Sequence, residues 1–185
     1  MNVKQGLLAL GLCCFGASAM ATPYSVNLVK NFNKGQTNSF ATELGNSVYS
    51  TSNGMVLLVS SADGGYDLWV SDGSSKGSRI IKDIYPSGPG IENPYLFDAG
   101  DKVYFTARKE AQANAELWVT DGTEAGTYQI SAHDTIVGYS TVLPFKVLND
   151  ELYYYAYDGI HGFELYKTNG QAGNAQLVKD INPGP

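Results

Sequence analysis

The sequence predicts an all-β protein made of tandem four-stranded repeats, and three observations carry that reading. The phrase Asp67-Leu-Trp-Val-Ser-Asp-Gly-Ser74 returns as Glu116-Leu-Trp-Val-Thr-Asp-Gly-Thr123 and as Glu164-Leu-Tyr-Lys-Thr-Asn-Gly-Gln171, at intervals of 49 and 48 residues. A fixed period of that size marks a repeat architecture. Each period breaks into short runs of β-branched and aromatic residues punctuated by Gly, Asp, Asn and Pro, the signature of strands and turns. No stretch beyond residue 21 sustains the periodicity of an amphipathic helix.

Taken in order, residues 1–21 read as a secretory signal peptide: Lys4, an apolar run from Leu7 to Phe15, then small residues that permit cleavage after Ala19 or Ala21. The run is too short to span a bilayer, so no membrane span is expected. A lipid anchor on Cys13 would place Leu12 where a small residue is wanted, and the signal peptide is the better reading. Residues 22–185 form the β-repeat region. It opens with a leftover strand over residues 26–35, then repeat 1 over about 47–88, repeat 2 over about 94–133 and repeat 3 over about 143–184.

Within repeat 2 the expected strands run from Tyr95 to Asp98, Lys102 to Ala107, Glu116 to Thr120 and Thr127 to Ser131. Alternation along the third places Leu117 and Val119 on one face and Trp118 and Thr120 on the other. Asp121-Gly122 follows as a tight turn in which the carboxylate accepts from the backbone and glycine takes a positive φ. The run Leu152-Tyr-Tyr-Tyr-Ala-Tyr157 carries bulk on both faces, which predicts a sheet covered on both sides.

Both cysteines, Cys13 and Cys14, lie inside the leader, so the remainder has neither disulfides nor thiolate metal sites. With Lys4 removed, 18 acids face 11 bases, a formal charge of −7. An acidic chain without basic clusters argues against nucleic-acid partners.

The linked motifs also carry a resemblance. Glu116 to Thr123, with Gly126-Thr127 behind it, and the trailing phrases Ile81-Lys-Asp-Ile-Tyr-Pro-Ser-Gly88 and Val178-Lys-Asp-Ile-Asn-Pro-Gly184 make the chain similar to the ELWxxDGT repeat proteins, which are secreted bacterial proteins. The third copy departs from the pattern at Tyr166, Asn169 and Gln171, and the first at Asp67 and Ser74. The resemblance implies propeller-like blades, commonly in longer arrays, and no family-wide catalytic residues. Three blades do not close an ordinary propeller ring. The sequence therefore leaves open a piece of a longer array, an arc that pairs with a second copy, or threefold closure as in a β-trefoil or β-prism; unpaired faces in the first two predict self-association.

Site candidates are few. Asp63, Asp72, Asp121 and Asp158 stand in acidic turns whose oxygens suit calcium, but none has EF-hand or nonapeptide spacing, and turn formation is the favoured role. No cofactor is expected beyond that. His161, beside Asp158 in a hairpin loop, has acid–base potential, with a plain turn histidine the favoured reading. Tyr85, Tyr139 and Tyr157 lie nearer turns than the other tyrosines, so these three and His161 are the ligand-contact candidates. With neither a nucleophile elbow nor a phosphate loop in sight, the function expected is non-enzymatic: an exported protein, periplasmic or extracellular, whose loops bind a protein or cell surface. A carbohydrate-binding module or a glycan-acting hydrolase is the alternative.

Overall fold

The structure is a computed structural model that describes residues 48–60, 66–88, 90–91, 96–111, 113–135 and 145–184. The expected leader, the leftover strand 26–35, Asp63 and Tyr139 lie outside these residues. The described residues contain twelve strands and no helix, and so none long and apolar enough to cross a membrane.

The strands form three antiparallel four-stranded meanders. Sheet 1 holds β1 (Val48–Thr51), β2 (Gly54–Ser60), β3 (Tyr66–Ser71) and β4 (Arg79–Lys82). Sheet 2 holds β5 (Leu96–Asp98), β6 (Val103–Ala107), β7 (Glu116–Thr120) and β8 (Tyr128–Ser131). Sheet 3 holds β9 (Lys146–Leu148), β10 (Glu151–Tyr157), β11 (Phe163–Thr168) and β12 (Gln176–Lys179). Each strand pairs with its sequence neighbour, so turn chemistry largely sets the register. The β9–β10 turn shows this. Asn149 (φ 53°) and Asp150 (φ 62°) both adopt the left-handed region that a two-residue primed turn demands and that Asn and Asp tolerate best.

Each sheet also carries a register shift at one place in the repeated phrase: Leu68/Trp69, Leu117/Trp118 and Leu165/Tyr166. A bulge there bends the third strand and increases its twist.

Alternation then sorts the side chains into two cores. Val56, Leu68, Val70 and Ile81 of sheet 1 pack against Val103, Phe105, Ala107 and Trp118 of sheet 2. The opposite face of sheet 2, Tyr104, Leu117, Val119 and Ile130, packs against Leu152, Tyr154, Ala156 and Tyr166 of sheet 3. Leu117 and Trp118 thus point to opposite cores, and every residue of β6 is buried. Among the described residues no core cluster joins sheet 1 to sheet 3. The aromatic pair Phe105–Trp118, with centroids 6.3 Å apart, has its counterpart in Tyr154–Tyr166 at 6.0 Å.

The tyrosine-rich strand β10 differs from expectation. Only its Leu152, Tyr154 and Ala156 side is buried, while Tyr155 is 53 % exposed. Bulk on both faces does mark a strand built for two-sided contact, but sheet 2 is the covered sheet, because it alone has a described sheet on each side.

Candidate functional site

The repeated phrase first explains itself as a turn. In sheet 2 the Asp121 carboxylate accepts from the Thr123 N–H (2.8 Å) and hydroxyl (2.7 Å), and the Thr123 hydroxyl in turn accepts from the Gly126 N–H (2.9 Å). Below it the buried Thr120 and Thr127 hydroxyls meet at 2.7 Å, and Thr120 Oγ1 accepts from the Gly122 N–H. Gly122 sits at φ +90°, where a side chain would be strained. Gly126 is glycine for another reason: a Cβ there would land on the Asp121 carboxylate.

Sheet 1 repeats the network with Asp72, Ser74, Gly77 and the Ser71–Ser78 pair. In sheet 3 Asn169 replaces the acid and accepts from the Gln171 N–H at 3.1 Å. Asp72 and Asp121 therefore each commit Oδ1 to their own loop. Hydrogen bonds from Ser74 hold the Asp72 carboxyl below its ordinary range.

Asp158 does the same work in a different turn. Its Oδ1 accepts from the backbone N–H groups of Ile160 and His161, both at 2.8 Å, while Oδ2 accepts from His161 Nδ1 at 2.6 Å and the Tyr166 hydroxyl at 2.7 Å. Burial alone would raise the Asp158 pKa, but these donors outweigh it and hold the carboxyl well below the carboxylate range. The hydrogen bond to Asp158 raises the His161 pKa in return. Burial, and then the hydrogen bond to Asp158, push the Tyr166 hydroxyl far above the ordinary tyrosine value. The loop is thus fastened to sheet 3 through the residue that stands in the tryptophan position of the repeat.

Beside this loop a surface groove is lined by Tyr157, His161, Gly162, Phe163, Asn182 and Gly184. Tyr157 is the last residue of β10, not a turn residue, and its ring lies 5.0 Å from that of Phe163. Phe163 is 53 % exposed. The far wall is held by Glu164, a buried acid whose Oε1 accepts from the backbone N–H groups of Ile181 (3.0 Å) and Asn182 (2.8 Å).

Of the sequence candidates, Tyr157, Asp158 and His161 come together here, while Tyr85 lies in the loop after sheet 1, its ring against Gly88. Asp72, Asp121 and Asp158 occupy three separate turns, and no three His, Cys, Asp or Glu side chains among the described residues gather in a way that could hold a metal ion. Phe163 and Glu164 escaped sequence reasoning. Glu164 left one signal, since an acid opens all three copies of the phrase.

No family model, curated protein or solved structure matches this chain.

Proposed function

We propose that this is an exported, non-enzymatic interaction protein whose four-stranded sheets act as propeller-like blades and whose loops bind a protein or cell-surface partner. The linear order of the cores, sheet 1 to sheet 2 to sheet 3, favours blades over threefold closure. The observation that carries the binding reading is the groove between the Asp158 to Gly162 loop and Asn182. There the exposed Phe163 and the Tyr157 ring stand beside His161, while the acids of the repeated turns are occupied in holding their own backbones. A fixed scaffold with an aromatic contact at one loop is a binding arrangement.

The second reading, a carbohydrate-binding module, rests on the same aromatic pair with polar Asn182 and His161 beside it, since stacking on a sugar ring needs both kinds of group. The test is saturable binding of the purified chain to intact cells of the producing organism, compared with Phe163→Ala and His161→Ala variants. Loss of binding in both supports the groove, and wild-type binding by both rejects it. Competition by soluble oligosaccharides, with a shift in tyrosine and tryptophan fluorescence, would select the carbohydrate reading. Hydrolysis of chromogenic glycosides would overturn the non-enzymatic one.

A further inference from the structure

The two sheet-to-sheet interfaces inside the chain use equivalent positions. The face of each sheet turned toward the next one carries Val56, Leu68, Val70 and Ile81 in sheet 1 and Tyr104, Leu117, Val119 and Ile130 in sheet 2, all buried. The register places Tyr153, Leu165, Lys167 and Val178 at those positions in sheet 3, with Tyr155 opposite Leu165. Here the face is open: Tyr155 is 53 % and Val178 43 % exposed. The reverse holds at the other end. The face of sheet 2 that sheet 1 covers presents Val103 and Trp118, whereas the matching face of sheet 1 leaves Met55 and Ile80 exposed, at 38 % and 42 %.

The turns repeat the relation. Asn53, in the β1–β2 turn of sheet 1, donates through Nδ2 to the Asp121 carbonyl of sheet 2 at 2.9 Å, and Gly122 packs on Thr51 and Asn53. Between sheets 2 and 3, Gly170 packs against Tyr104 and Lys102, and its carbonyl accepts from the Tyr128 hydroxyl at 2.8 Å. Two halves of this contact are left over. Gly73 has nothing within 4 Å of where a Cβ would stand, and Asn149 in the β9–β10 turn is exposed.

We propose that the open face of sheet 3 docks the open face of sheet 1 from a second copy of this chain, repeating the internal interface head to tail, with Asn149 meeting the Asp72-Gly73 turn. The occupant is a second copy because that copy presents the same kind of surface that sheets 2 and 3 already present inward. If each chain spans half a turn, two such contacts close a six-sheet ring. Lys167 is the one departure from the internal pattern. It replaces Val70 and Val119, and its charge is matched within the face by Glu151 at 3.0 Å. The inference stands without the loop-binding reading, because it uses the sheet face and not the Asp158 to Gly162 loop.

The experiment is sedimentation velocity of the full chain over a concentration series, with Tyr155→Asp and Ile80→Asp variants checked for folding by circular dichroism. Both positions are solvent-exposed in the single chain, so both variants are expected to fold. Each introduces an unpaired charge into the docked face and should weaken self-association by roughly a hundredfold or more. An equimolar mixture of the two should recover a one-to-one complex, because one unaltered pair of faces remains. Lys167→Val combined with Glu151→Gln, which removes both charges of the pair and restores the residue type of the internal interfaces at position 167, should tighten association by roughly tenfold.

A wild-type chain that stays monomeric at every concentration overturns the proposal. So does self-association that survives either charged variant, a mixture that fails to associate, or a Lys167→Val, Glu151→Gln double variant that dimerises no more tightly than wild type.

Discussion

Replacing Gly126 with alanine tests the reasoning about the repeated turn. The new methyl would occupy the place of the Asp121 carboxylate, which must then swing away from Thr123. The acid is short and free to rotate, so the cost is not the collision but the two hydrogen bonds to Thr123 lost with it, at 2.8 and 2.7 Å. Bonds to a charged group contribute about 1.5 kcal/mol each, a loss of about 3 kcal/mol. The alanine returns about 0.4–1 kcal/mol by restricting the unfolded chain, which leaves a net destabilisation of about 2 kcal/mol. That corresponds to a fall in melting temperature of roughly 4–8 °C for a chain of this size.

The assay is urea unfolding of wild type, Gly126→Ala, Asp121→Ala and the double variant. Once Asp121 is gone the methyl has nothing to displace, so the double variant should be no less stable than Asp121→Ala alone. That is a coupling of about 3 kcal/mol, the whole of the hydrogen-bond loss, because the alanine's gain persists in both backgrounds. Additive losses, or a Gly126→Ala chain within about 0.5 kcal/mol of wild type, would refute the account.

Thr120→Val keeps the shape of the side chain but strips the acceptor from the Gly122 N–H and breaks the buried pair with Thr127, so it should cost about 1–3 kcal/mol in the same assay. Leu117→Ala, which empties a fully buried site between sheets 2 and 3, should cost about 2–5 kcal/mol in thermal or urea melts. Glu164→Ala should release the Ile181 and Asn182 backbone and make that segment exchange its amide hydrogens faster, with little change in β6.

The Asp158–His161 pair sets a pH window. The raised His161 pKa contributes stability that is complete below about pH 6.5 and is lost as pH rises through the folded value, while the lowered Asp158 pKa contributes stability present above about pH 3.9 and lost at lower pH. His161→Gln should therefore lose most relative to wild type near pH 5 and least above pH 8; an equal loss at both would reject the pairing.

Much of the fold was legible because its signals are local. The alternation of Leu117 and Trp118 onto opposite faces, and the positive-φ glycine after Asp121, follow from spacing and turn chemistry alone. The strands of sheet 2 begin and end within a residue of where the sequence places them. What spacing does not encode is which face finds a neighbour. The tyrosines of β10 therefore read as a covered strand when one side of it is open.

The site divides in the same way. Asp158 and His161 lie three residues apart in one loop, so their pairing was visible, but Tyr166, Phe163 and Asn182 are brought to that loop by strand pairing and by the Glu164 anchor. The reason for Gly126 was hidden for a related cause, since a packed carboxylate five residues away leaves only a recurrent glycine in the text.

The complete burial of β6 has a consequence for how the molecule comes apart. Sheet 2 is the only described partner of either neighbour, so stability propagates along the chain by nearest-neighbour coupling, as in a one-dimensional array. In the single chain, sheet 1 or sheet 3 can fray by giving up one core, whereas opening sheet 2 gives up both. The middle third of the chain is then the last element to lose order, and any partner that presses on an outer sheet is felt across the molecule through that single central layer.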